Sequence, residues 1–428
     1  MSSNAIGPHS FIKVSLLAAL AAISLLGCSR HTEAEFVTSV PWALTGAGVV
    51  LDSHTHTRFS DGALQPMQLA EKAFANGCTA FAVTDHGALF VRAATPEYFA
   101  EVDAIRAAFP GMIVFAGIEW NIPPYLGREH VTVLLEASLE RRVLPEFKSR
   151  FEEESAAVED ALQWLAAQTG RPENVALIYN HPSRLDLDPE ENYRDYLKWH
   201  AQQDLFIGFE GGPGHQKSNP PDIYRGRIRT RDRWDPVVAD IGGTWDRLLD
   251  QGHRVWGALA VSDYHNDQDF EPCAFARTHL RVPQKDQRGV LQALRAGSFW
   301  AGHGRVLDDL VFTASHSALN RPATAGETVR LGAPSSVPAF RVAFTRGPAG
   351  ADLPLAVEII GNGVSGIPDS VARGEVGAGV DTFDWTPKGL VAGEDGRSAY
   401  FRARVTARSP AGDVLVAYTN PIRILVRD

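Results

Sequence analysis

The run VVLDSHTHTRFSDG, Val49 to Gly62, decides how this chain is read. An apolar run ends at Leu51, and within ten residues come Asp52, His54, His56 and Asp61. Short apolar runs of this kind are buried strands. Residues i and i+2 of an extended segment point the same way, so His54 and His56 face one point together. Two imidazoles at this spacing are either a ligand pair or a surface turn that happens to hold His, and the motif alone does not separate the two.

Six further strand-like runs follow, at 79–84 (TAFAVT), 112–118 (MIVFAGI), 130–135 (HVTVLL), 175–180 (VALIYN), 206–210 (FIGFE) and 255–262 (VWGALAVS). Helical patterns such as PMQLAEKAFANG, PEYFAEVDAIRAAF and TWDRLLDQG lie between most of them, although the third and fourth strands leave no room for one. This alternation predicts an α/β fold with a parallel sheet, and seven strands predict a closed or nearly closed barrel with its chemistry at the C-terminal strand ends. There the chain places His54, His56 and Asp61, then Asp85 and His86, then Glu119, His181, Glu210, and finally Asp263 and His265; His130 opens the fourth strand. A rim of six His and several carboxylates is awkward as core packing and natural as a metal site.

The 428 residues suggest two domains, and 44% apolar with 21% charged residues is a globular composition. A formal charge of -10 argues against stable nucleic-acid binding but leaves phosphate compounds open as substrates. Near the amino terminus, Lys13 precedes VSLLAALAAISLLG, which ends at Gly27 just before Cys28. The run is short for a membrane span and fits a signal segment. LLGC resembles a bacterial lipobox, which implies cleavage before Cys28, a lipid anchor on it, and an exported protein held on an envelope membrane at the periplasmic or cell-surface side. A plain secretory signal is the alternative. The remaining Cys78 and Cys273 are left unassigned between pairing and core packing. The expected organisation is a signal at 1–27, a tether at 28–45, the barrel at 46–305, a linker at 306–317 and a small all-β sandwich at 318–428. The last is read from alternating runs such as YFRARVTA and VLVAYTN.

HTHTRFSDG, TDHG, the Glu of GIEWN, NHP and SDYH, in this order, resemble the successive motifs of the PHP (polymerase and histidinol phosphatase) superfamily over about residues 49–304. The resemblance implies a distorted (β/α)7 barrel with two to three divalent ions, Zn, Mn or Fe. Carried over by motif, His54, His56, Glu119 and Asp263 hold one ion. Glu119, His130 and His181 hold a second, with Glu119 bridging. Asp61, His86 and His265 hold a third. Asp61 stands where some members carry His. The implied chemistry is hydrolysis by a metal-bridged hydroxide, foremost of a small anionic phosphate ester. Amide, carbamate or ester hydrolysis on the same site, and a non-catalytic metal-binding surface lipoprotein, are the alternatives.

Around these motifs, Asp263 is a candidate proton relay, and Arg58 and Arg184 are candidate phosphate contacts. Asp85 and Asp52 are either second-layer carboxylates or turn residues. Glu210, His215 and His303 are read as structural rather than ligating. In YRGRIRTRDRW, Arg225, Arg227, Arg229, Arg231 and Arg233 recur at period two. An extended loop would put all five on one face as a cationic lid; the alternative is a solvated segment paired with Asp222, Asp232 and Asp235.

Overall fold

The computed structural model describes residues 34–426 apart from 124–127, 153–155, 186–188, 203, 219–221, 224–227 and 392–397. The expected signal, Cys28 and the start of the tether lie outside the described residues, as do Arg225 and Arg227.

The first strand, β1 (Ala34–Thr38), stands where the tether was expected. It is followed by β2 (Ala47–Asp52), β3 (Ala80–Val83) and β4 (Ile113–Ala116), which form consecutive parallel pairs. Helices α1 (Pro66–Ala75) and α2 (Pro96–Ala108) connect them. Thr95 starts α2 by accepting from the Tyr98 amide, with Pro96 at the first helical position. The expected strand at 112–118 is not continuous. It breaks at Gly117, and β5 (Ile118–Asn121) joins a different sheet. A Cβ at Gly117 would lie 2.8 Å from the Val133 carbonyl oxygen and 2.9 Å from Thr84, so only glycine allows the chain to cross there.

The second sheet runs β5, β6 (His130–Leu135), β7 (Val175–Tyr179), β8 (Phe206–Gly212) and β9 (Trp256–Ala260). Its last two pairings are parallel, as expected, but β5–β6 and β6–β7 are antiparallel. The link between β5 and β6 runs only from 122 to 129, shorter than the dozen or more residues a parallel crossover needs. Two isolated parallel bridges, Thr55 with Tyr264 and His86 with Glu119, join the two sheets at their ligand-bearing ends.

Two strands the sequence reading did not single out continue the first sheet: β10 (Ala276–Val282) pairs antiparallel with β2, and β11 (Phe299–His303) pairs antiparallel with β10. Between them the helix Gln287–Ala296 is capped by Asp286, which accepts from the Gly289 amide, and ends on Gly297 at φ 73°. The expected linker is largely a strand, β12 (Leu307–Ser315), pairing with Ala339–Arg346. Its inward Leu307, Leu310, Phe312 and Ala314 pack in a second apolar cluster with Phe340, Val342, Val357, Phe401 and Ile422. The carboxy-terminal region is all-β, as expected, but its strands are not confined to a sheet of their own. Val414–Thr419 pairs with β11, so a twelve-stranded sheet runs from β4 through this region to β1. β1 is held by Thr328–Leu331. The junction also contains a fully buried ion pair, in which Arg402 Nε and Nη2 donate to Asp246 at 2.9 and 3.0 Å. Cys78 and Cys273, 195 residues apart, form a disulfide.

Candidate metal centre

The strand ends bring all nine motif residues together. Glu119 is at the middle. Its Oε1 lies 3.0 Å from His54 Nε2, 3.0 Å from His130 Nδ1 and 3.2 Å from His181 Nε2. Its Oε2 lies 2.9 Å from His86 Nδ1 and 3.4 Å from His56 Nε2. Asp263 Oδ1 lies 3.3 Å from His54 Nε2 and 3.2 Å from His56 Nε2. Asp61, on the open side, has Oδ2 3.6 Å from His86 Nε2 and 3.5 Å from His265 Nε2. His56, Asp61, His86 and His265 form a four-donor group, and His86, Glu119 and His130 a three-donor group.

These donors suit divalent ions. Ligand atoms held about 2.1 Å from one ion are roughly 3.0–3.4 Å from each other at octahedral or tetrahedral edges, and the distances above fall around that range. Several of the atoms are buried with no hydrogen-bond partner among the described residues: His86 Nδ1, His130 Nδ1 and both oxygens of Asp263. Buried polar atoms left this way are costly unless something else satisfies them. Mixed imidazole and carboxylate ligation fits Zn, Mn or Fe.

The electrostatics follow from the crowding. Burial acts to raise the Glu119 carboxyl, but the charges of His130, His54 and His86 overcome it and hold Glu119 well below the usual carboxylate range. Asp263 is likewise held low against burial, chiefly by His215 and His54. Burial disfavours charged His54, yet Asp263, Glu119 and Glu210 push it well up. His86 is pushed up to about 10, with burial opposed by Glu119 and Asp61. His56 is driven well down by burial and by repulsion from His265 and His86. Carboxylates that favour imidazolium also favour divalent cations, and a ligating imidazole is neutral, so ion uptake releases protons.

Behind the donors is a second layer that the sequence reading underrated. Glu210 Oε1 lies 2.8 Å from His54 Nδ1, and its Oε2 accepts from the His181 amide. Glu129 Oε2 lies 2.9 Å from His181 Nδ1 and also accepts from Arg184. Carboxylates on the far nitrogen fix the orientation and basicity of an imidazole ligand. Glu129 is next to His130 in sequence, but nothing local links it to His181. Asp85 does not touch a ligand ring. It accepts from the Thr57 amide, Thr57 Oγ1 and Ser60 Oγ, and so shapes the turn that carries His56 and Asp61. Asp52 accepts from the Ser262, His54 and Cys273 amides and ties the end of β2 to the loop of Asp263.

His215, read as structural, lies in the centre with Nε2 2.7 Å from Asp263 Oδ2. His303 does not: it stacks on Phe275 at 4.7 Å, and burial together with Arg233 pushes it down to about 3. Arg184 is mostly buried, with its charge felt by Asp263 and Glu119. Arg58 is exposed and its Nε donates to the Ala63 carbonyl; among the described residues no contact joins it to the cluster. The described part of the arginine run is not a one-faced array. Residues 231–234 turn back on themselves through a bridge between Arg231 and Trp234. Arg231 pairs with Asp240, and Arg233 lies over the Phe270 and Phe275 rings.

Fold and site thus define an α/β protein with a buried cluster of metal-type donors at its strand ends. Residues 52–185 match the family model of the PHP domain. A protein of Acetivibrio thermocellus called a probable phosphatase is 38% identical over 79 residues, which span 18% of this chain and 33% of that relative. Among solved structures, a two-domain protein from Bacteroides vulgatus, described as containing a predicted PHP-like metal-dependent phosphoesterase, is 14% identical. It is matched over 90% of this chain and 97% of its own, with a TM-score of 0.44. An amidohydrolase from Chromobacterium violaceum is 17% identical over 58% of this chain and 96% of its own, with a TM-score of 0.35.

Proposed function

We propose that the protein is a metal-dependent phosphoesterase acting on a small anionic phosphate ester, with its catalytic strands arranged as a distorted seven-stranded barrel. The observation that carries this reading is Glu119, whose two oxygens face five imidazoles on four different strand ends or loops. A carboxylate so placed would serve two ions. His54, His56 and Asp263 would hold one with Glu119, His130 and His181 the second, and Asp61, His86 and His265 a third. Bound there, divalent ions supply Lewis-acid polarisation of a phosphoryl oxygen and a water of lowered pKa.

The chain's own groups do the rest. Glu210 and Glu129 hold His54 and His181 in fixed orientation. Arg184, whose Nε and Nη2 share one oxygen of Glu129, keeps a cation beside the cluster to receive phosphate oxygens. Asp263, set among the same donors, would take up the proton that such a water loses. Export to a bacterial envelope, with a lipid on Cys28, is part of the same proposal. The disulfide supports it, because such bonds persist in oxidising compartments.

The test is hydrolysis of phosphomonoesters, phosphodiesters and carbamates by the purified chain, before and after chelation and with Zn, Mn or Fe restored. Full turnover after complete metal removal would end the reading. For the anchor, Cys28→Ser should move the protein out of the membrane fraction or block its processing.

A further inference from the structure

Three imidazoles in the centre share one arrangement. His54 has Nδ1 2.8 Å from Glu210, and Nε2 turned to Glu119 and Asp263. His181 has Nδ1 2.9 Å from Glu129, and Nε2 turned to Glu119. His215 has Nδ1 3.2 Å from Asp269 Oδ1, and Nε2 2.7 Å from Asp263 Oδ2. A ring with one nitrogen held by a carboxylate and the other turned into a donor cluster is the usual arrangement of a ligating histidine. His54 and His181 are motif residues. His215 belongs to none of the motifs, yet it repeats their geometry.

A second observation comes from Asp263. Its Oδ2 is buried and has no aligned hydrogen bond, although His215 Nε2 is only 2.7 Å away. Two donors of one ion stand this close without bonding each other, since each directs its lone pair at the ion; His181 Nδ1 and Glu129 Oε2 are also unaligned at 2.9 Å, so the spacing counts here together with the ring arrangement. His86 Nδ1 and His130 Nδ1 stand in the same relation to Glu119, at 2.9 and 3.0 Å.

The backbone supplies a third. His215 has φ 60°, in the left-handed region that non-glycine residues seldom enter, as do His181 at 29° and Asp263 at 46°. Strained residues of this kind persist where the surroundings over-determine them, commonly at functional sites. Just before His215, a Cβ on Gly214 would fall 2.0 Å from the Ser262 carbonyl oxygen and 2.3 Å from Asp263 Cβ. The loop after β8 is therefore pressed onto the segment that carries Asp263, and only glycine permits that approach. Asp269 completes the unit: its Oδ2 accepts from the His265 backbone amide while its Oδ1 faces the His215 ring, so one carboxylate ties the His265 loop to the His215 imidazole.

We infer that His215 is a tenth protein ligand of the metal centre, sharing an ion with Asp263, and that Asp269 orients its ring. This rests on the proposed metal-dependent function. The full chain, freed of metal by chelation, is titrated with Co2+ and followed by its visible absorption. His215→Ala should weaken one Co2+ by 10-fold or more and alter the band, leaving the remaining ions as in the wild type. Asp269→Asn should do the same more weakly, and added imidazole should restore the band in His215→Ala. His215→Gln, with circular dichroism on every variant, guards against misfolding. A Co2+ isotherm and spectrum identical to wild type in both His215 variants would overturn the inference, whether or not turnover fell. A wild-type chain that took up no Co2+, Zn or Mn would instead remove the metal-centre reading itself.

Discussion

Replacing Glu119 by glutamine should cost the protein two ions at once. Oε1 faces His54, His130 and His181 within 3.2 Å, and Oε2 faces His86 and His56 within 3.4 Å. Glutamine keeps the shape but loses the negative charge and turns one oxygen into an amide donor aimed at imidazole nitrogens. Loss of even an outer hydrogen-bond partner of a metal ligand costs about 10–100-fold in affinity. Applied to each of two ions, that is roughly 10²–10⁴-fold together, or about 3–6 kcal/mol. The Asn180 amide, which donates to Oε1 at 2.8 Å, would face a neutral acceptor in its place. Metal per chain by elemental analysis, with affinities from competition against a chelator, checks the effect. His316→Ala is the control, since His316 bonds Ser336. Two ions retained in Glu119→Gln with affinities within threefold of wild type would refute the bridging role.

Other expectations follow from the frame around the site. Arg402→Met should destabilise by about 3–5 kcal/mol in denaturant unfolding, because Asp246 is left charged and buried; adding Asp246→Leu should recover most of it. Replacing Cys78 and Cys273 together by Ala frees a loop of 195 residues and should cost up to about 5 kcal/mol, read as a lower unfolding midpoint without loss of bound metal. His279 is pushed down to about 3 by burial and by Arg277 and Arg281. Its unfolded form takes up a proton below about 6.5, so the stability it contributes is present above that value and is lost as pH falls toward 3. His279→Phe, which keeps the stack on Trp300 at 4.0 Å, should flatten this acid limb by on the order of 3 kcal/mol at pH 4; an unchanged slope would place the acid sensitivity elsewhere.

What the sequence by itself determined was local. His54 and His56 share a face because two residues of strand separate them, and Asp61, His86, Glu119, His181, Asp263 and His265 each follow an apolar run short enough to read as a strand. The carboxy-terminal β region was legible from alternation in the same way. Tertiary structure decided what depends on distant partners. Glu210 meets His54 across 156 residues, His215 meets Asp269 across 54, and Cys78 meets Cys273 across 195. Nothing near any of them in the chain announces the partner. The break at Gly117 depends on the Val133 carbonyl, and the strands at Ala34–Thr38 and Leu307–Ser315 depend on partners at Thr328–Leu331 and Ala339–Arg346. A five-residue strand near the amino terminus, or one beginning LDD, buries too little by itself to stand out from a linker. Period and spacing reveal which way a side chain points along its own element, while the point where those directions converge is set only when the sheets close around it.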